Sequence, residues 1–150
     1  MAYLLERSLF IPRPREEVFT FFADARNLER ITPAFLGFRI LTPDPIEMKP
    51  GALIDYQLRL HGIPVTWRTR IAEFTPPSSF VDIQLSGPYR RWHHRHDFED
   101  VSGGTRMRDR VEYELPFGPL GALVRYLFVR RSLDKIFDHR NATIAEIFRS

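Results

Sequence analysis

Apolar side chains recur mostly at every second position through the first three quarters of the chain, and at helical spacing near its end. Over residues 3–11, Leu5, Arg7 and Leu9 alternate with Leu4, Glu6 and Ser8, which predicts a strand. Pro12 and Pro14 close it. Pro14-Arg15-Glu16-Glu17 then opens a helix, because proline suits the first turn and carboxylates favour the positive end of the helix dipole. Val18, Phe21 and Phe22 form its apolar stripe at i, i+3 and i+4. A second short helix is predicted over 25–31 and ends at Thr32, since the residue before Pro33 disfavours helix.

Six further strands are predicted, over 38–41, 52–60, 65–74, 80–85, 89–98 and 105–115. Ile54, Tyr56, Leu58 and Leu60 share one face of their strand; Val65, Trp67, Thr69 and Ile71 share one face of the next. Turns rich in Gly and Pro join the runs, the pattern of an antiparallel meander. From Leu120 onward the spacing is helical, with Leu120, Leu123, Leu127, Phe137, Ile144, Ile147 and Phe148 near one side. Such a helix is about 45 Å long at 1.5 Å per residue, enough to lie along the whole concave face of a sheet. Strand, two helices, six strands and a long helix make an α+β fold, expected as one domain over residues 1–150. The strand over 80–85 is ambiguous. Hydrophobicity turns Val81, Ile83 and Leu85 inward, and a shift of one residue turns Phe80, Asp82 and Gln84 inward instead.

Several motifs carry a resemblance. They are Pro14-Arg15-Glu16-Glu17-Val18-Phe19, the run from Phe80 through Asp82, Gln84, Gly87-Pro88-Tyr89, Trp92, His94 and His96 to Phe98, Gly104-Thr105 with Asp109, Tyr113-Glu114-Leu115-Pro116, and Phe128 with Arg131, Ile136-Phe137 and Arg140. With them the chain resembles the START-like or Bet v 1-like SRPBCC superfamily, which includes polyketide cyclase/dehydrase-like and lipid-transport proteins. It is most similar to the bacterial ligand-binding subgroup, some of whose members carry names such as CDP-paratose 2-epimerase-like. The resemblance implies a helix-grip fold, a curved seven-stranded antiparallel sheet around a long C-terminal helix with two short helices after strand 1. It also implies an internal cavity for a ligand. By the family pattern, Phe80, Asp82 and Gln84 face that cavity. No Gly-x-Gly-x-x-Gly fingerprint is present, which argues against NAD-dependent epimerase chemistry.

Composition changes the picture in two ways. Thirteen Phe among 150 residues suit a core or an apolar pocket lining, and the absence of Cys excludes disulfides, thiolate metal sites and cysteine nucleophiles. The net charge of +3 is small beside 22 basic residues, nearly all Arg. The clusters at Arg90-Arg91, Arg106 to Arg110 and Arg130-Arg131 therefore read as solvated faces, and no specific nucleic-acid partner is expected. With no signal peptide and no membrane-spanning run, the expected location is cytoplasmic.

Candidate chemistry concentrates at 89–98, where alternation places Trp92, His94, His96 and Phe98 together, and on the next strand, where Asp109 joins Met107, Val111 and Tyr113. A His–Asp pair can orient a ligand, serve as a satisfied core contact, or act as a general base; two His and one Asp can also hold a metal, although that spacing is common. His94, His96 and Asp109 are the catalytic candidates, and no metal or other cofactor is expected. The predicted ligand-binding set adds Tyr56, Trp67, Gln84, Trp92, Tyr113, Leu127 and Phe137. Arg131 and Arg140 fall near the sheet-facing side of the last helix, with surface exposure the default. Three readings follow: a carrier or sensor of a small hydrophobic or amphipathic molecule, a cyclase/dehydratase-type enzyme, and a regulatory protein contacting a partner or RNA through Arg. An apolar outer face over 80–85 would suit a homodimer.

Overall fold

The computed structural model describes residues 2–149. Strand β1 (Tyr3–Ile11) leads into helices α1 (Arg15–Ala23) and α2 (Asn27–Ile31), a 3-10 turn (Ala34–Leu36) and the short β2 (Arg39–Ile40). The meander is β3 (Leu53–Leu60), β4 (Ile63–Thr75), β5 (Ser79–Ser86), β6 (Arg91–Val101) and β7 (Gly104–Glu114). The chain closes with α3 (Gly118–Val124), a π-helical turn (Arg125–Val129) and α4 (Arg130–Ile147). The seven strands lie in the order β1-β7-β6-β5-β4-β3-β2, all antiparallel. This is the expected α+β helix-grip arrangement. Among the described residues no helix is long and apolar enough to cross a membrane.

The inner faces are those alternation predicts. Ile54 and Leu58 on β3, Trp67, Thr69 and Ile71 on β4, and Trp92, His94, His96 and Phe98 on β6 are all buried. Two irregularities in the β4–β5 register, between Arg68 and Thr69 and between Ile71 and Glu73, settle the ambiguous strand. They bring Phe80, Asp82 and Gln84 to the inner face, while Val81 is buried on the other side between its pairing partners Glu73 and Arg95. Ile83 is half-buried and Leu85 exposed, so with Val81 the outer face of β5 carries three apolar side chains.

Two helical expectations are corrected. In α1 the buried residues are Val18, Phe19 and Phe22; Phe21 is only half-buried, packing edge-on against Phe22 and Phe148. The last helix does not bury its whole length. Leu133, Phe137, Arg140 and Ile144 face the sheet, whereas Leu120, Leu123 and Leu127 are exposed. The π-helical turn widens the helix at 125–129, so the stripe of α3 is not in phase with that of α4. Arg7 on β1 reaches Asp134 at 2.6 Å and so ties α4 to the sheet.

The start of β7 passes very close to the end of β1. A Cβ at Gly104 would lie 2.2 Å from the Ile11 carbonyl oxygen, and Thr105 Oγ1 donates to the Arg13 carbonyl at 2.8 Å. Because the obstructing atoms are backbone, Gly104→Ala should destabilise the protein by about 2 kcal/mol or more. A wild-type urea midpoint for this variant would contradict the close approach.

Candidate functional site

Strands β5, β6 and β7 place a polar cluster in the middle of an otherwise apolar inner face. His94 stands opposite Asp82 and Val111 in the ladder, and His96 stands opposite Phe80 and Asp109. The hydrogen bonds run diagonally. His94 Nε2 lies 2.8 Å from Asp109 Oδ1, and His96 Nε2 lies 2.6 Å from Asp82 Oδ2. Each imidazole thus bonds the carboxylate that faces the other, a diagonal reach the pleated sheet allows. The rings of His94 and His96 stack at 3.7 Å, and His96 stacks in turn on Phe80 at 4.0 Å.

Arg140 completes the cluster from α4. It is 6% exposed, with one guanidinium nitrogen 3.5 Å from Asp109 Oδ1 and its charge over the rings of Phe22 and Phe137. The expectation of an exposed Arg140 is therefore corrected, while Arg131 does lie on the surface. An unpaired buried guanidinium would be prohibitive, so Asp109 serves the helix and the histidines together.

Protonation follows from these contacts. Burial pushes His94 down to about 4, and the neighbouring His96 charge pushes the same way, against the bond to Asp109. Burial also disfavours a charged His96, but the hydrogen bonds and charges of Asp109 and Asp82 outweigh it and hold this imidazole above its ordinary value. Of the stacked pair, His96 is therefore the one on which an added proton is favoured, over the face of Phe80. Burial would raise both carboxyls; Arg140 and the imidazoles overcome it and hold Asp109 well below the usual range, and His96, His94 and Arg140 hold Asp82 below it. Two carboxylates thus face Arg140 and the imidazole that favours a proton, while burial keeps His94 neutral.

Asp82, His94 and His96 offer ligand atoms within 4.8 Å of one another, the set of types a metal takes. The fit is poor. Imidazole lone pairs lie in the ring plane, and two rings inclined by only 26° and stacked at 3.7 Å direct theirs nearly parallel rather than at one ion.

The cluster forms one wall of a cavity of about 190 Å³. Tyr56, Trp67, Trp92, His94, His96 and Phe137 line it, joined by Asp82, Thr69, Tyr89 and Arg140. Asp109 sits behind the histidines. Tyr113 is in the core against Trp92 and Tyr89. Gln84 lies on the inner face but spends its amide on the main chain of Tyr89, donating to its carbonyl at 2.6 Å and accepting from its N–H at 3.0 Å. That pair of bonds secures the turn before β6 and leaves Gln84 outside the cavity lining. Leu127 is half-exposed on the π-helical turn and is not part of the lining either. Burial raises the hydroxyls of Tyr56 and Tyr89 beyond their ordinary range, so both stay protonated.

The binding set expected from the sequence omits Asp82 and Arg140, although the family pattern turns Asp82 to the cavity and spacing puts Arg140 near the sheet-facing side. The signal for Asp82 is its alternation with Phe80 opposite His94 and His96; that for Arg140 is its helical spacing from Phe137 and Ile144.

Fold and cavity together define a helix-grip protein with a polar cluster set into an apolar chamber. The chain belongs to the family described as polyketide cyclase/dehydrase and lipid transport, whose model matches residues 11–138. No curated protein matches its sequence. Solved structures share the fold at low identity. The protein TTHA0849 of Thermus thermophilus is 18% identical, with 97% of this chain and 95% of that chain aligned and a TM-score of 0.72. The di-domain ARO/CYC StfQ from the steffimycin biosynthetic pathway is 15% identical over 99% of this chain and 51% of that one, with a TM-score of 0.75. A nucleoside-diphosphate sugar epimerase from Corynebacterium glutamicum is 31% identical over 71% of this chain, which spans only 24% of that protein, with a TM-score of 0.57.

The protonation pattern has a measurable consequence. Between pH 6.5 and about 4 the unfolded chain takes up a proton at residue 94 that the folded chain refuses, so stability falls as pH drops through that window. This residue accounts for about 3 kcal/mol of the loss. His96 acts in the opposite sense, its contribution being present below 6.5 and lost as pH rises through its raised folded value. Urea unfolding at pH 7 and pH 4.5 should show a marked loss in the wild type and a smaller one in His94→Asn. Equal acid sensitivity in the two proteins would refute the assignment.

Proposed function

We propose that the protein binds a small amphipathic molecule in its inner cavity and acts as a carrier or sensor. The observation that carries this reading is a pair of buried donors without acceptors. Trp67 Nε1 and Arg140 Nε belong to cavity-lining residues, and neither has a hydrogen-bond partner within the protein, nor has the ring nitrogen Nδ1 of His96, which donates or accepts according to its tautomer. Buried donors are almost always satisfied, so two orphans beside one cavity suit a ligand that brings oxygen acceptors. The remaining wall is largely Phe, Leu, Ile, Tyr and Trp, which suits an apolar body. For scale, an apolar cavity of roughly 150 Å³ holds benzene, so a volume of about 190 Å³ fits a ligand of one or two small rings.

A second reading, acid/base catalysis of the cyclase or dehydratase type, draws on the His94–Asp109 and His96–Asp82 pairs. The electrostatics favour binding. A general base works best when its pKa lies near the working pH, and His94 at about 4 is a weak base. His96, held by two carboxylates, is a correspondingly weak acid.

Trp67 and Trp92 both line the cavity and report on its contents. Native mass spectrometry of the purified protein, with extraction of any bound compound, should identify an oxygen-bearing apolar molecule. Titration with that compound should change tryptophan fluorescence. Ala25→Leu, which extends a side chain into the cavity, should weaken binding at least about tenfold while the fold is retained. Undiminished affinity in this variant would place the ligand elsewhere. His94→Ala and His96→Asn should retune affinity; loss of turnover with binding intact would instead favour catalysis.

A further inference from the structure

Among the described residues, seven of the fourteen exposed large hydrophobic side chains fall within one short segment: Phe117, Leu120, Leu123, Val124, Tyr126, Leu127 and Phe128. Leu120, Leu123, Val124 and Leu127 follow helical spacing, so they form one stripe along α3 and the π-helical turn. A second element meets them. The ring of His61 in the β3–β4 hairpin lies 6.0 Å from that of Phe128, and Ile63 beside it is 67% exposed. Two unconnected elements thus present apolar side chains at the same edge of the molecule.

That edge is also the rim of a second cavity, a cleft of about 470 Å³ lined by Phe117, Leu120, Val124 and Phe128 among others. Leu60, Tyr89, Leu133 and Ile136 line both this cleft and the inner cavity. Charge selects the partner. No acidic residue lies between Glu114 and Asp134, whereas Arg130 and Arg131 are exposed at the C-terminal end of the stripe. Arg125 is turned the other way, its guanidinium 4.1 Å over the Tyr3 ring and 3.3 Å from the Tyr113 hydroxyl.

We propose that this edge, formed by α3, the π-helical turn and the β3–β4 hairpin, docks on the surface of an anionic lipid bilayer. A helix with a Leu/Phe face bordered by arginines seats its apolar side at the acyl boundary and its cations among headgroup phosphates. A second copy of the chain suits it less, because a twofold packing of the stripe offers Arg130 and Arg131 no carboxylate from residues 115–133 to pair with. Docking also sets the cleft rim in apolar surroundings, with Leu60, Tyr89, Leu133 and Ile136 between lipid and inner cavity.

The purified chain is mixed with extruded vesicles of phosphatidylcholine alone, or of equimolar phosphatidylcholine and phosphatidylglycerol, and bound protein is measured by sedimentation. Anionic vesicles should bind about tenfold more protein or better, and added salt should reduce it. Arg130→Gln and Arg131→Gln should each lower partitioning by about fivefold. Leu123→Asp with Leu127→Asp should abolish it with the unfolding midpoint unchanged, since both side chains are exposed. In Phe117→Trp, quenching by brominated lipid should appear only with anionic vesicles. Equal binding to neutral and anionic vesicles overturns the proposal. So does absence of binding, whether the chain is then monomeric or forms a concentration-dependent dimer through this stripe, as analytical ultracentrifugation would show.

Discussion

The contact between Arg140 and Asp109 is the constraint around which the interior is arranged. A guanidinium carried into the sheet by α4 needs a carboxylate, and the carboxylate that meets it also accepts from His94 and faces His96. One group therefore bears both on where the helix lies and on which imidazole a proton favours. Removing either charge from such a buried pair costs about 3–5 kcal/mol, because its partner is left uncompensated. The cavity exists beside this contact because the helix is held there, with Phe22 and Phe137 flanking the guanidinium instead of filling the space in front of it.

Polar groups in the cavity wall do two different jobs. Asp82, Asp109, His96 and Arg140 offset one another's charge, so the ionic part of the cluster is held without a ligand. Trp67 Nε1 and Arg140 Nε do lack a partner, and they give the chamber its chemical preference. The charged cluster is therefore scaffold first, and its role in selecting a ligand is limited to the donors it leaves over. A similar division holds for Gln84, which stands on the correct face yet is consumed by the turn that positions Trp92 and His94.

How much of this is legible in the residues depends on whether the pattern is local. Alternation along a single strand shows which way Trp67, Trp92, His94, His96 and Asp109 point, because the pleat alone decides it. The sheet-and-helix order is legible for the same reason, supported by turn residues. Periodicity alone misleads on the facing of β5, since it depends on two irregularities in the pairing with β4; the family pattern of Phe80, Asp82 and Gln84 gives it correctly. Spacing puts Arg140 near the sheet-facing side, but an arginine is left at the surface by default, because its burial requires Asp109, which lies on a strand distant in sequence. Leu120, Leu123 and Leu127 belong to the core on spacing alone, and the π-helical turn takes that face away from the sheet.

That turn makes the winding midway along the terminal helix a matter of a single residue. In an ordinary α-helix each residue advances the face by about 100°. Loss of one residue from 125–129 would restore regular winding within the turn, which holds the extra residue locally, so the side chains of the turn, Phe128 among them, would be redistributed around the axis while α3, Arg140 and Phe137 stayed about where they are. The rim of the cleft is thus able to change during evolution through small insertions and deletions that leave the chamber beneath it untouched.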